Sequence, residues 1–512
     1  MTMLDRIERK TLQDPQHTAF IRGEERLAYG QLWNQSDALA RWIVDTIGAD
    51  NRPILVYGHM EPEMLVCFLA CVKAGHAYIP MDSSVPEARL ASIVSGSQTP
   101  LVLAPGLLPP IETGSAVVAG RSDRHPWRLE AIFAQYAGLH PDPECRVRGG
   151  ENFYIIYTSG STGEPKGVQI TLDCLESFVR WTQEEFALRD GDVFLNQAPF
   201  SFDLSVMDLY PCLTGGGTVW ALDREWVASP AVLFERLAKS GIAVWTSTPS
   251  FAEFCLMDKS FSQELLPDLH TFLFCGEILS RRCVQKLKER FPKADVYNTY
   301  GPTEATVAVT SLRTDEHILA KYPALPVGYC KPDCRIRILD EAGQPLPDGE
   351  KGEIWIVGPS VGPGYFQRPE QSERCFLQVN DPELGLSRAY RTGDSGFLRS
   401  GLLFFGGRLD FQVKLHGYRI ELGDIEHQLL RLSGIKNAVV LPHYREDKCD
   451  YLAAFLVPEQ HPDDEFALAQ SIRKELASSL PDYMIPKKIV FKTSLPMNIN
   501  GKADRKPLLS EV

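Results

Sequence analysis

The 512-residue chain is short of several things, and each shortage closes off a class of protein. Positive charge is scarce: 53 Lys and Arg stand against 66 Asp and Glu, for a formal net charge of −13. A nucleic-acid binder or a protein held on anionic lipid needs a basic surface, so neither is expected, although a local basic pocket for a nucleotide remains open. Long apolar runs are missing. The longest, Met64 to Val72, is too short to span a bilayer and reads as a buried helix or strand, so no stable membrane insertion is expected. The opening MTMLDRIERKTLQDPQ is charged throughout and lacks the apolar centre of a secretion signal. No C-x-x-C pair occurs among the 12 cysteines. Cys67/Cys71 and Cys330/Cys334 have no histidine partners, so reduced core cysteines are expected rather than zinc ligands. A cytoplasmic location fits this usage. Repeats and low-complexity tracts are absent too, which excludes solenoids and linker arrays.

What is present is an ordinary globular composition, 44% hydrophobic and 23% charged, in a chain too long for one core. Over the first 400 or so residues short apolar runs alternate with amphipathic segments. Ile54–Tyr57, Tyr154–Tyr157, Val193–Leu195, Ala243–Trp245 and Thr271–Phe274 have the length of buried strands. Leu175, Phe178, Val179 and Thr182 recur at helical spacing between two of them. This predicts an α/β body of several subdomains. After about Lys321 the texture changes. Arg335–Leu339 and Ile354–Val357 flank the turn-rich EAGQPLPDGEKG and predict antiparallel strands in a β-rich subdomain. Beyond Asp410 a small α+β unit is expected, with strands near Ala438–Leu441 and Tyr451–Val457 and helices near Asp424–Leu432 and Glu465–Leu480. The expected partition is 1–409 and 410–512.

The segment Tyr157-Thr-Ser-Gly-Ser-Thr-Gly-Glu-Pro-Lys-Gly167 carries most of the chemical signal. Three glycines let the backbone approach phosphate oxygens, and Thr158, Ser159, Ser161, Thr162 and Lys166 offer donors and charge. It is no Walker loop, because Lys166 lies between Pro165 and Gly167. By itself it signals only a phosphate.

TSGSTGEPKG resembles the phosphate loop of the adenylate-forming superfamily, which includes acyl-CoA synthetases, adenylation domains of non-ribosomal peptide synthetases and luciferases. Four further motifs of that superfamily follow in order. The resemblance implies ATP and Mg²⁺ as cofactors. Thr158, Ser159, Gly160, Ser161, Thr162, Gly163 and Lys166 would cradle phosphate. Asn298, Thr299, Tyr300, Gly301 and Thr303 of NTYGPTE would pack on adenine, with Glu304 as metal ligand. Asp394 of YRTGD and Arg408 of GRLD would hold the ribose, Asp410 would be the hinge, and Lys502 of NINGK would be catalytic. The C-terminal domain would be mobile, swinging about Asp410. Read without the resemblance, Glu304 is a surface acid, Asp394 closes a turn, Arg408–Asp410 is a surface ion pair and Lys502 is a solvated lysine at a turn.

Physics asks for the same groups. A carboxylate is a weak nucleophile and the α-phosphate of ATP is shielded by negative charge, so Mg²⁺ and cationic donors are needed where charge develops. Gly393-Asp394-Ser395 also resembles a phosphopantetheine attachment site, but it lies inside the ribose motif with no helical bundle around it. The thiol acceptor is therefore expected on a separate phosphopantetheinylated carrier protein.

Asp203 of FSFDLS falls where amino-acid-activating members keep a carboxylate for the α-ammonium. The alternative is a helix N-cap. Cys275 of FLFCGE stands where such members carry glycine, and a side chain there narrows the pocket on one face. The alternative is a core cysteine. The stretches NQAPFSFDLSVMDLYP, WTSTPSFAEFCLM, FLFCGE and NTYGPTEATVAVT are similar to the branch that activates D-alanine and charges a carrier for D-alanylation of teichoic acids. That similarity puts Val307 in the alanine pocket and Lys502 on the substrate carboxylate. An enzyme is expected, acting as a monomer. The competing readings are an L-amino-acid adenylation enzyme of peptide synthesis, an acyl-CoA ligase, and a non-catalytic nucleotide sensor.

Overall fold

A computed structural model describes residues 1–121, 125–160, 164–445, 448–460, 462, 464–496, 505 and 507–512. The apolar runs form strands at Ile54–Gly58, Asn152–Thr158, Val193–Asn196, Val244–Ser247 and Thr271–Phe274. Most of their residues are buried, which is why they read as unbroken runs rather than as alternation. Met64–Val72 belongs to the helix Pro62–Lys73, in which every residue but Glu63 is buried. The helical spacing from Leu175 to Thr182 belongs to the helix Leu172–Glu185, whose first turn is capped by the Thr171 hydroxyl accepting from Cys174 N at 3.3 Å. Phe178 on its inner face is fully buried and contributes about 2–3 kcal/mol by leaving water.

Two large sheets carry the body. One has seven strands, in the order Trp127–Arg128, Val117–Gly120, Leu101–Ala104, Ile54–Gly58, Tyr78–Asp82, Asn152–Thr158, Lys166–Thr171. The other has fourteen. Its parallel part runs Thr18–Arg22, Thr218–Ala221, Val193–Asn196, Val244–Ser247, Thr271–Phe274, Asp295–Tyr300. It continues through the antiparallel strands Thr310–Arg313, Gly328–Cys330 and Leu402–Arg408, and on to Gly385–Arg399, Gly352–Val357 and Arg335–Leu339. Arg335–Leu339 and Gly352–Val357 pair as the expected hairpin.

By its contacts the chain divides into two compact units. The first comprises Met1–Ser83, Val94–Ile156 and Gly167–Gly407; the second comprises Ser84–Ile93, Tyr157–Lys166 and Arg408–Val512. The second is α+β: a hairpin Gln412–Leu415/Tyr418–Glu421, a sheet of Ile435–Arg445, Lys448–Pro458 and Lys488–Phe491, and helices Leu422–Arg431 and Glu465–Leu476. Ile425, Leu429, Val440, Leu456 and Ile472 form its core. The last helix stops four residues short of the expected Leu480. Pro481 disfavours helical backbone in the residue before it, and tight turns at Ser479 and Leu480 take over. Among the described residues no two of the twelve cysteines are joined in a disulfide, and most are buried. Among the described residues no helix is long and apolar enough to cross a membrane, and no three His, Cys, Asp or Glu side chains gather as a metal cluster.

Candidate active site

The strand Asp295–Tyr300 ends the parallel part of the large sheet and delivers the NTYGPTE segment at its carboxyl end, where α/β sheets place ligand sites. Asn298 Nδ2 donates to the Pro326 carbonyl at 2.9 Å and the Thr299 hydroxyl donates to the Phe274 carbonyl at 2.9 Å. These side-chain donors thus fix the strand end, leaving backbone and neighbours to face a ligand. Tyr300 OH donates to Asp394 Oδ2 at 2.6 Å, so the adenine and ribose candidates meet directly. Asp394 closes a Thr-Gly-Asp turn as well: its N–H donates to Thr392 Oγ1 at 2.9 Å. The turn reading and the ligand reading are therefore compatible. Gly301 has no room for a side chain, since a Cβ would lie 2.5 Å from Ala308 Cα and 2.8 Å from Val307 O.

Glu304 and Thr303 begin the short helical turn Thr303–Ala305. Glu304 is wholly buried, which removes the surface-acid reading. Its Oε1 accepts from Tyr365 OH at 2.8 Å, and Tyr365 OH lies 3.4 Å from Tyr390 OH. Sequence reasoning missed Tyr365, which sits 61 positions away and belongs to no motif. The donor set suits Mg²⁺, which commonly binds through one or two carboxylates plus substrate phosphates and water.

Past Glu304 the backbone turns in an uncommon way. Thr306 and Val307 have φ of 58° and 67°, and Ala308 N donates to Thr306 O at 2.8 Å. A three-residue turn with a β-branched residue at positive φ at its centre is rare and strained. Strain of this kind costs about 1–3 kcal/mol and gathers at functional sites. The Val307 carbonyl is 3.7 Å from Cys275 Sγ, a weak sulfur contact, so the two nominated pocket residues touch. Cys275 is nonetheless buried in the main core, so its two readings merge.

Asp203 stands at the N-cap position of the helix Leu204–Gly215, but its carboxylate makes no capping bond there. The capping alternative fails. Close by, Tyr154 is fully buried and its hydroxyl has no hydrogen-bond partner among the described residues. Burial first, then the negative charge of Asp203, pushes its phenol well above the ordinary range.

In the second unit, Thr158 Oγ1 is buried without a partner among the described residues. Ser159 Oγ donates to Arg419 O at 3.0 Å and accepts from Glu421 N at 3.1 Å. Lys166 Nζ is 3.8 Å from Glu421 Oε1. Two nominated phosphate donors are thus engaged by the hairpin. Arg408 binds Asp410 in a two-pronged pair at 2.9 and 2.5 Å. Burial works to raise the Asp410 carboxyl, but the bonds and charge of Arg408 outweigh it and hold it below the ordinary value. Gly160 lies within the phosphate loop; Ser161, Thr162, Gly163 and Lys502 lie outside the described residues.

The AMP-binding enzyme family model matches residues 7–366, and the AMP-binding enzyme C-terminal domain matches 424–502. The D-alanine–D-alanyl carrier protein ligase of Bacillus thuringiensis (strain Al Hakam) is 53% identical over 513 residues, covering 100% of both chains. That of Bacillus cereus (strain B4264) is equally similar, at 53% over the same span. Among solved structures, holo-PA1221, an NRPS protein containing adenylation and PCP domains, superposes with a TM-score of 0.82 at 26% identity, covering 100% of this chain and 84% of that one. The Vibrio cholerae adenylation domain AlmE, in complex with glycyl-adenosine-5'-phosphate, shares the fold at TM-score 0.82 and 21% identity, covering 99% and 97% of the two chains. On this full-length likeness, the chain is an AMP-forming ligase that belongs to the AMP-binding enzyme family and, within it, to the family of the D-alanine–D-alanyl carrier protein ligases.

Proposed function

We propose that the chain uses ATP to convert D-alanine to D-alanyl-AMP and passes the D-alanyl group to the phosphopantetheine thiol of a separate carrier protein. The observation that carries the substrate assignment is the contact between Cys275 and Val307 at a strained turn beside Gly301, which we read as one wall of the alanine pocket. Reversing the chirality of alanine exchanges its methyl and hydrogen, so a one-sided wall discriminates between the two. Such steric differences yield about 1–3 kcal/mol, so the preference for D over L is finite. Asp203, half-buried and making no capping bond, is the carboxylate we assign to the α-ammonium.

In the first step the D-alanine carboxylate attacks the α-phosphorus, an oxygen–phosphorus bond forms, and pyrophosphate leaves. Thr158, Ser159, Lys166 and Lys502 supply donors and charge to the phosphates, while Tyr300, Asp394 and Arg408 hold adenine and ribose. Mg²⁺ held by Glu304 supplies charge neutralisation at the phosphates. In the second step the carrier thiolate attacks the mixed anhydride, a thioester forms, and AMP leaves. The product would serve D-alanylation of teichoic acids from the cytoplasmic side.

The test is ATP–pyrophosphate exchange with D-alanine, L-alanine, glycine, D-serine and a fatty acid. Strong exchange with D-alanine over L-alanine is expected. Exchange driven by an L-amino acid or a fatty acid would leave the adenylation chemistry standing and overturn the substrate.

A further inference from the structure

Lys331 is a charge with no apparent work to do. It lies outside every motif, yet its side chain is completely buried. Its ammonium donates to Ser177 Oγ at 2.5 Å and to Ser360 Oγ at 2.7 Å. Asp333 Oδ1 lies 3.0 Å away as counter-charge, and the Ser177 hydroxyl donates onward to Asp333 Oδ2 at 2.7 Å. Three elements distant in sequence meet on this one nitrogen: the helix Leu172–Glu185, the loop after Gly328–Cys330, and the loop that carries Ser360.

Burying an ammonium is costly, and a well-packed apolar side chain would often stabilise the fold as much or more. What the ammonium adds is direction. Ser360 is buried, and its carbonyl accepts the Thr306 hydroxyl at 2.7 Å. Thr306 is the first of the two residues at positive φ, and the turn it opens sets the Val307 carbonyl against Cys275 and Gly301. The backbone of Lys331 braces the far side of the same turn, its N–H donating to Val309 O at 2.8 Å. Two residues beyond Ser360, Gly362 N donates to Glu304 O at 2.9 Å. Lys331 thus bears on the strained turn from both sides, its ammonium by way of Ser360 and its backbone N–H at Val309, and a strained turn persists only where its surroundings over-determine it.

We propose that Lys331 is a positioning residue for amino-acid specificity, acting through Ser360 and Thr306 to hold the Val307 wall of the pocket. The proposal rests on the pocket assignment above and extends it to side chains that touch no substrate.

The experiment measures KM for amino acid, KM for ATP, kcat and the D- to L-alanine ratio in pyrophosphate exchange. The variants are Lys331→Met, Lys331→Arg, Ser360→Ala and Thr306→Val. The last two are nearly isosteric, Ser360→Ala removing the side-chain bonds to Lys331 and Cys334 and Thr306→Val the one to Ser360 O, so they report even if Lys331→Met fails to fold. The expected result is a rise of about tenfold in the amino-acid KM and a matching loss of D/L discrimination in Ser360→Ala and Thr306→Val. The KM for ATP should stay unchanged, and Lys331→Arg should recover part of the loss. A D/L ratio at the wild-type value in folded Ser360→Ala and Thr306→Val overturns the proposal. So does a parallel rise in both KM values, which marks general loosening. If the wild-type enzyme itself does not use D-alanine, the pocket assignment fails instead. The positioning role is then read from the KM of whichever amino acid the wild type does activate.

Discussion

At the scale of single residues, the ligand candidates and the structural residues could be told apart only by their partners. Asp203 and Asp208 lie five positions apart in one apolar stretch and look alike as sequence. Asp208 is fully buried, and both its carboxylate oxygens face Asn196 Nδ2, at 3.2 and 3.3 Å. Burial pushes its carboxyl well above 3.8, and bonds from the Asn196 amide and the Leu209 backbone pull it back only in part. The native state then keeps a proton that the unfolded chain has released. Stability from this site is fullest below 3.8 and declines as pH rises through the native pKa. Asn196 Oδ1 is buried with no partner among the described residues, while Asn196 Nδ2 also donates to the Ala198 carbonyl at 3.1 Å. Asp208→Asn supplies the same shape and a permanent donor. We expect it to match the wild type in acid to within about 1 kcal/mol and to become the more stable protein as pH rises, followed by urea unfolding across pH. Parallel stability curves for the two proteins would place the titrating proton elsewhere. The sequence nominated Asp203 through a motif. It gave no sign that burial raises the Asp208 carboxyl, nor that Glu304 leans on Tyr365, because both depend on residues brought close by the fold.

At the scale of elements, the body was legible because its strands and helices declare themselves by run length and spacing. Thr271–Phe274 and Arg335–Leu339 have the bounds read from sequence. The hairpin Gln412–Leu415/Tyr418–Glu421 went unread, although Val413 and Leu415 alternate with polar residues and His416-Gly417 sits between the strands. Its turn has φ of 52° and 86° at His416 and Gly417, two consecutive positive values that fit the tight hairpin connection matching the twist of strands. His-Gly is a weaker turn signal than Asn-Gly, so the pattern gives little sign of a hairpin. The hairpin matters because its strand Tyr418–Glu421 holds Ser159 on both sides, and Ser159 is also a phosphate candidate. A side chain at Gly417 would have to take the left-handed conformation at about 1–2 kcal/mol. Gly417→Ala should therefore speed hydrogen exchange at Val413 and Ile420 while leaving the amides of Asp295–Tyr300 protected. Unchanged exchange in the hairpin would show that its packing on the core of the second unit, and not its turn, holds it.

At the scale of the whole molecule, the longest stretch of the second unit is Arg408–Val512. Composition could not reveal that Ser84–Ile93 and Tyr157–Lys166 associate with it, since that association is long-range. Arg89 shows why it occurs: its guanidinium lies 3.2 Å from Asp424 Oδ2, and Asp424 is wholly buried. The candidate phosphate loop Tyr157–Lys166 falls in one unit with Arg408–Val512, the stretch that includes Lys502 in sequence. The two half-reactions make different demands on it. Attack on phosphorus builds negative charge between carboxylate and α-phosphate, where one well-placed ammonium contributes about 2.7–4 kcal/mol. Attack of a thiolate on an adenylate already formed needs no cation at that place. Lys502→Ala should lower D-alanine-dependent pyrophosphate exchange by about 10²–10³-fold. Transfer from preformed D-alanyl-AMP to the phosphopantetheine thiol should stay near the wild-type rate, and rapid-quench assay of each half-reaction measures the two separately. If both fall together, Lys502 either acts on a group common to the two steps or supports the unit as a whole. If neither falls, the ammonium that meets the α-phosphate is another, and Lys166 beside Glu421 is the first to substitute.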